Sequence, residues 1–384
     1  MSNLYKPLDS LKAGHWFKLI CGASFQHLPA VRNLTLAYTL AGADCIDVAA
    51  DSAVIAAAQE ALQVASDIMA ANQSQGWRSP QLPLLMVSLN DGQDPHFRKA
   101  QFNSADCPPD CPRPCERICP AGAIIFQGNE ASGVVPERCY GCGRCLPICP
   151  QQLIYTRSYV STPAEIAPLI LSTGIDAIEI HTQVGRETEF ERLWKAIAPW
   201  INRLKLVAIS CPDGQGMIDY LWSLYNLITP LPCPLIWQTD GRPMSGDIGD
   251  GTTLAAVKLA QKVLAANLPG YVQLAGGTNS YTVTKLRAAG LLKTVKAGQG
   301  DKETRRQGNK RIVSSASYSQ SAISGIAYGS YARVLLSPIL AQLETIEMNK
   351  HNIMPIRLES EPQLLSQAVA LADSLVAQIK SLPG

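Results

Sequence analysis

Long hydrophobic runs are missing from this chain. No apolar stretch reaches the roughly 18 residues that a membrane-crossing helix needs. The opening residues, MSNLYKPLDSLKAGHWF, lack the apolar core of a secretory signal. Both absences argue against a membrane anchor and give the expectation of a cytoplasmic chain, where thiols stay reduced. Charge is also scarce. Only 17% of the 384 residues are charged and the net charge is +2, which excludes a polyanion-binding tail or a disordered acidic segment as the main business of the protein. Aromatic residues make up 6%, without the basic interleaving that single-stranded nucleic acid requires, so no nucleic-acid partner is expected. There is no P-loop, no nucleophile elbow, no H-E-x-x-H and no G-x-G-x-x-G after the first apolar strand.

What is abundant is cysteine in one place. Eight of the twelve cysteines lie between Asp106 and Pro150, together with eight prolines. A disulfide knot, zinc sites and iron–sulfur clusters compete for this segment. A reducing compartment disfavours the knot. Spacing separates the other two. Cys139-x2-Cys142-x2-Cys145-x3-Cys149-Pro150 is the bacterial ferredoxin run, in which three cysteines wrap one cubane and the fourth ligates the other. Zinc ribbons use two C-x2-C pairs across a longer gap. The preceding Cys107-x3-Cys111-x3-Cys115-x3-Cys119-Pro120 has wider leading gaps but the same Cys-Pro ending, an internal repeat with pseudo-twofold character.

Two [4Fe–4S] clusters follow as the expectation. Cluster A takes Cys107, Cys111, Cys115 and Cys149; cluster B takes Cys119, Cys139, Cys142 and Cys145. A segment this short, with few large apolar side chains, draws its stability from ligation.

Around this segment strand and helix alternate. Strands are expected at 17–22, 45–49, 84–88, 177–181, 206–210, 235–239, 271–275 and 325–328. Helices are expected at 28–43, 52–71, 163–172, 187–201, 217–228, 253–266, 280–289 and 331–343, with a last one at 362–379. Eight such units point to an α/β fold, a (β/α)8 TIM-like barrel; an open doubly wound sheet is the alternative. The expected division is 1–102 for the first three barrel units, 103–155 for a ferredoxin-like insertion, 156–345 for the rest of the barrel and 346–384 for a helical extension. An insertion after strand three opens on the C-terminal face, over the mouth of the barrel.

Weaker signals gather at that mouth. Gly276 and Gly277 end strand seven, and Gly329 and Ser330 follow strand eight, a position where barrels hold phosphate. This marks a candidate flavin mononucleotide site, with plain strand-to-helix turns as the other reading. Lys18, Asp47, Glu179, His181, Gln238 and Asp240 fall on strands and serve either acid–base chemistry or a satisfied polar layer. Cys21, Cys45, Cys211 and Cys233 read as ordinary buried thiols. The loop from Lys296 to Arg311 carries Lys296, Lys302, Arg305, Arg306, Lys310 and Arg311 against Asp301 and Glu303, either a solvated loop or a dock for an acidic electron carrier.

With "CPPDCPRPCERICPAGAI", "RCYGCGRCLPICPQQLIY", "VQLAGGTNSYTVTKLRAAGL" and "GIAYGSYARVLL" set side by side, the chain resembles the cyanobacterial light-dependent period (LdpA) family over nearly its full length. The resemblance implies an iron–sulfur protein that reports cellular redox state, and so light, to the circadian clock. It also implies association with clock input components such as the kinase CikA and with KaiA. Three functions remain in competition: a redox sensor exchanging electrons with a soluble carrier or the quinone pool; a flavin-dependent oxidoreductase with the clusters as relay; and a radical enzyme using S-adenosylmethionine. The third is disfavoured because its cluster has three cysteine ligands near the first strand.

Overall fold

The computed structural model describes residues 6–21, 28–71, 81–92, 98–119, 122–126, 133–135, 138–139, 145–158, 168, 170–241, 251, 253–293, 322–349 and 356–381. Eight parallel strands close into a barrel. They are β1 (Trp16–Ile20), β2 (Cys45–Ala49), β3 (Leu84–Asn90), β4 (Ala177–His181), β5 (Leu206–Cys211), β6 (Leu235–Asp240), β7 (Tyr271–Ala275) and β8 (Gly325–Tyr328). Each pairs with its sequence neighbour, and β8 returns to pair with β1 (Trp16 opposite Gly325, Lys18 opposite Ala327). The (β/α)8 expectation is therefore met.

Why these segments make a barrel is visible in their two-residue alternation. Phe17, Leu19, Ile46, Val48, Leu85, Val87, Ile178, Ile180, Val207 and Ile209 point outward and join the helices in one large buried core. Trp16, Cys45, Leu84, Met86, Ala177, Leu206, Ala208, Ile236 and Tyr271 point inward and form a second core inside the barrel. Gly325 makes room for the largest of them. A Cβ there would sit 2.4 Å from the Trp16 carbonyl oxygen and 2.5 Å from its Cβ.

Boundaries shift modestly from expectation. The helix after β4 runs Glu187–Ile197 and tightens into a 3-10 segment, Ala198–Arg203, where Pro199 enters. The helix after β8 runs on to Asn349 past an internal proline, Pro338. The helix expected at 163–172 falls largely outside the described residues, as does the basic loop from Lys296 to Arg311.

Two helices close the bottom. The short helix Pro7–Ala13 places Leu11 in the interior core. The last helix, Pro362–Lys380, brings Lys380 to Asp44 at 2.6 and 2.7 Å and to Ser10 Oγ at 2.8 Å. Asp44 also accepts from the Phe17 amide at 2.7 Å and from Ser10 Oγ at 2.9 Å. Burial raises the Asp44 carboxyl from 3.8 to about 6, against the opposing pull of Lys380. The folded state thus holds this proton more tightly than the unfolded one. Its contribution is complete below the unfolded value and is lost as pH rises through the folded value, on the order of 3 kcal/mol in all. Stability measured by urea unfolding should fall between about pH 4 and pH 6. In Asp44→Asn that slope should flatten; an unchanged slope would refute the assignment.

Candidate metal centre

The cysteine module stands on a stem. After β3 the chain forms strand Arg98–Gln101, which pairs antiparallel with Tyr155–Ser158 on the way back, Gln101 opposite Tyr155. Between them the module repeats itself. Helix Pro114–Ile118 carries Cys115 and is followed by Cys119; helix Cys145–Ile148 begins with its cysteine and is followed by Cys149. The turns after the two Cys-Pro pairs match as well. Gly122 N donates to Cys119 O and Gln152 N to Cys149 O, both at 3.1 Å. Gly122 and Gln152 share left-handed backbone, with φ of 55° and 52°. A non-glycine residue there carries a steric cost that glycine avoids. The internal repeat inferred from Cys-Pro thus extends to backbone conformation.

Sulfur substitutes for hydrocarbon in the module's interior. Cys115, Cys139 and Cys145 are buried with Ala100, Ala123, Ile124 and Ile154, and Cys119 and Cys149 pack against them with Phe102 and Phe126. Arg113 lies over the Phe126 ring at 4.3 Å. Two main-chain amides point at sulfur: Ala123 N to Cys119 Sγ at 3.2 Å and Ala100 N to Cys139 Sγ at 3.4 Å. Such N–H···S bonds favour an anionic sulfur and tune a bound cluster.

The thiols also sense one another. Burial raises the Cys115 thiol, opposed by the Glu116 amide, and Cys149 and Cys111 raise it further. Burial, a hydrogen bond with Cys111 and the nearness of Cys115 raise Cys107. Cys107, Cys111, Cys115 and Cys149 therefore occupy one neighbourhood. Ligation of iron by these thiols would release their protons, so loading is coupled to pH. Cys142 lies outside the described residues. Among the described residues, no three Cys, His, Asp or Glu side chains converge on a point for a single ion. Soft sulfur donors with directed amides suit an iron–sulfur group.

The module meets the barrel through Lys99. Its Nζ lies 3.0 Å from Asp51 Oδ2, just past the C-terminal end of β2, and both side chains are nearly buried. This is a charge contact whose alignment falls short of a hydrogen bond at that oxygen. Nothing in the periodicity singled Lys99 out, because the short strand around it shows no apolar alternation.

Inside the barrel the polar residues join hands. Trp16 Nε1 donates to Gln273 Oε1 at 2.6 Å, Gln273 Nε2 to Gln238 Oε1 and Gln238 Nε2 to Glu179 Oε1, both at 2.5 Å. Lys18 Nζ donates to Glu179 and to Asp47 Oδ2, the latter at 3.1 Å, and Ser88 Oγ donates to Asp47 at 2.7 Å. His181 Nε2 lies 3.2 Å from Glu179 Oε1 and is partly exposed, at the mouth. Burial opposes the Lys18 charge, but Asp47 and Glu179 more than offset this and hold it protonated. Burial raises Asp47. Every donation in the amide chain runs toward Glu179, so the arrangement is a connected polar layer. Asp240 is the last residue of β6.

The candidate phosphate residues end adjacent strands. Gly276 and Gly277 both have positive φ, 70° and 77°. Thr278 Oγ1 ties their loop to Ala327 O at 2.8 Å. Ser330 begins its helix, with Arg333 Nη2 at 3.1 Å from its Oγ and Arg333 Nη1 at 3.1 Å from Ile20 O. Cys21, Cys45 and Cys211 are buried and Cys233 is half-buried; burial pushes Cys21 and Cys211 up to about 12 and Cys233 to about 11, which keeps them as inert thiols.

Comparison with known proteins now bears on the module. Residues 107–160 match the LdpA Fe-S cluster-binding domain, and residues 169–378 match the light dependent period A C-terminal domain. Light dependent period A of Synechococcus elongatus is 47% identical over 378 residues, covering 98% of this chain and 95% of that one. The chain belongs to the light dependent period A family. As a member it carries an iron–sulfur-binding domain, and the two matched regions leave β1–β3 outside. The solved structure of Mycobacterium tuberculosis tryptophan synthase aligns over 96% of both chains at 12% identity with a TM-score of 0.37, too distant to inform the fold. Among the described residues no helix is long and apolar enough to cross a membrane.

Proposed function

We propose that this light dependent period A family member is a redox sensor that binds two [4Fe–4S] clusters and passes their oxidation state to circadian clock input proteins. Cys107, Cys111, Cys115 and Cys149 hold cluster A; Cys119, Cys139, Cys142 and Cys145 hold cluster B. The observation that carries this reading is the duplicated module, whose sulfur-rich core receives directed amides and stands over a barrel. The barrel's interior polar groups supply support for it, since they are committed to one another. Each bound cluster supplies reversible one-electron storage. The protein's own part is to exclude water from sulfur through Ile124, Ile154 and Phe102, to donate the Ala100 and Ala123 amides, and to hold the module on its stem. Electrons come from a soluble carrier or the quinone pool. CikA and KaiA are the partners whose binding changes with oxidation state, in the cytoplasm.

Iron and sulfide assay on anaerobically purified protein, with EPR before and after dithionite, tests this. About eight irons and two interacting signals are expected. Cys145→Ser should lower the iron toward about four, leaving cluster A. About four irons in the wild type would return Cys107, Cys111 and Cys115 to doubt. Flavin released on denaturation would instead make the barrel an oxidoreductase, with Gly276, Gly277, Gly329 and Ser330 as the first place to seek it. Equal binding of CikA and KaiA by oxidised and reduced protein would defeat the sensor reading.

A further inference from the structure

One strand of the stem has a different neighbour on each face. Ala100 and Phe102 face the module core, and the Ala100 amide donates to Cys139 Sγ at 3.4 Å. Lys99, the next residue, faces the barrel, 3.0 Å from Asp51 Oδ2. Lys99 is 8% exposed and Asp51 3%. Asp51 is itself rigidly placed. Its Oδ1 caps the helix Ser52–Ala71, accepting from Ala53 N at 2.8 Å and Val54 N at 3.2 Å.

We propose that Lys99 and Asp51, joined to the Cys139 sulfur through the single strand Arg98–Gln101, form a charge latch that reads the reduction state of cluster B and sets how the module seats on the barrel. This deepens the sensor reading and rests on it. In the reducing step a low-potential one-electron donor, dithionite in the assay, loses an electron and the cluster gains it; no bond breaks and no proton moves. The added negative charge sits behind Ala100, across the strand from the nearly buried Lys99 ammonium. A charge of that sign competes with Asp51 for Lys99 where water screens poorly. Reduction therefore loosens the ion pair and with it the stem. Lys99 and Asp51 are positioning residues and touch no iron.

The latch makes two opposite demands on the cluster's potential. Lys99 favours the more negative, reduced cluster, so Lys99→Met should lower the potential. Asp51 disfavours it, so Asp51→Asn should raise the potential, while asparagine keeps the helix cap. The expected size is up to about tenfold in the reduced-to-oxidised ratio, 59 mV for one electron, in one of the two clusters only. Anaerobic EPR titration of full-length protein reads this. Lys99→Arg should restore the wild-type value. Hydrogen exchange adds a measurement that needs no variant: amides of 98–101 should exchange several-fold faster in reduced than in oxidised wild type, and this difference should vanish in Lys99→Met. Unmoved or same-direction shifts with full iron content would overturn the latch and leave the sensor reading standing. An equal exchange rate in both redox states would do the same. Absence of clusters in the wild type would remove both.

Discussion

A fragment beginning at residue 169, at the start of the matched C-terminal region, is expected to be unfolded. It contains β4–β8 and lacks the three strands that close the barrel. β4 would lose β3 along Met86–Asn90, and β8 would lose β1 along Trp16–Leu19. Two bare edges on strands shaped for closure leave rows of unpaired amides and carbonyls and a half-covered interior. The interior fares no better. Glu179 would lose Lys18, Gln273 would lose Trp16, and Lys380 would lose Asp44. Each leaves a polar or charged group without its buried partner, costing about 1–3 kcal/mol for a neutral group and more for a charge. These losses compare with a typical total of about 5–15 kcal/mol. No cooperative thermal transition and strong binding of a hydrophobic dye are expected for 169–384, and co-expression with residues 1–168 should restore both barrel and transition. The reverse cut should be mild. Joining Gln101 to Tyr155 through Asn-Gly closes the stem as a tight hairpin and should leave far-UV dichroism of the barrel unchanged. A sharp unfolding transition in the 169–384 fragment would show that the barrel is not the folding unit.

Replacing the buried ammonium is expected to be nearly as severe. Lys18 is fully buried between Asp47 and Glu179. Lys18→Met would leave two carboxylates facing each other without that cation. Removing one partner of a buried pair typically costs about 3–5 kcal/mol, to be read as a lowered urea midpoint at pH 7. The sign of the pH dependence follows. Burial already raises the Asp47 carboxyl and Lys18 opposes that rise, so without the ammonium it rises further above its unfolded value and the variant binds an extra proton when folded. The deficit should therefore shrink as pH falls through that raised value and grow as it rises. Adding Glu179→Gln to Lys18→Met removes one stranded charge and should recover much of the stability. If the double variant were as unstable as the sum of the single ones, the polar layer would not be acting as a unit.

Much of this was legible in the chain. The eight strands stood out because β-branched and apolar residues recur within short segments bounded by helical patterns, and the cysteine spacing named its own chemistry. Residues such as Lys18, Asp47, Glu179 and Gln238 could be flagged as polar groups on strands. Which of acid–base chemistry or mutual satisfaction they serve depended on Gln273, Trp16 and Ser88, whose contacts come from barrel closure and leave no local periodicity. The helix Pro7–Ala13 was missed because seven residues barely make two turns. The stem was missed because strands Arg98–Gln101 and Tyr155–Ser158 are four residues each and far apart in sequence. Lys99 followed from that: a lysine in a short unpatterned stretch carries no mark of burial.

The pairing of β8 with β1 has a consequence for how the protein is made. β1 leaves the ribosome before any other barrel strand, and its second neighbour is β8, the last of the eight to be made. Between them the ribosome must deliver the whole cysteine module. At about 5–20 residues per second, one edge of β1 waits many seconds for its partner, while the oxygen-sensitive thiols are already exposed. Nascent chains in this interval need protection of an open strand and a supply of iron and sulfide, so limitation of either during synthesis would leave aggregated chains as well as empty ones.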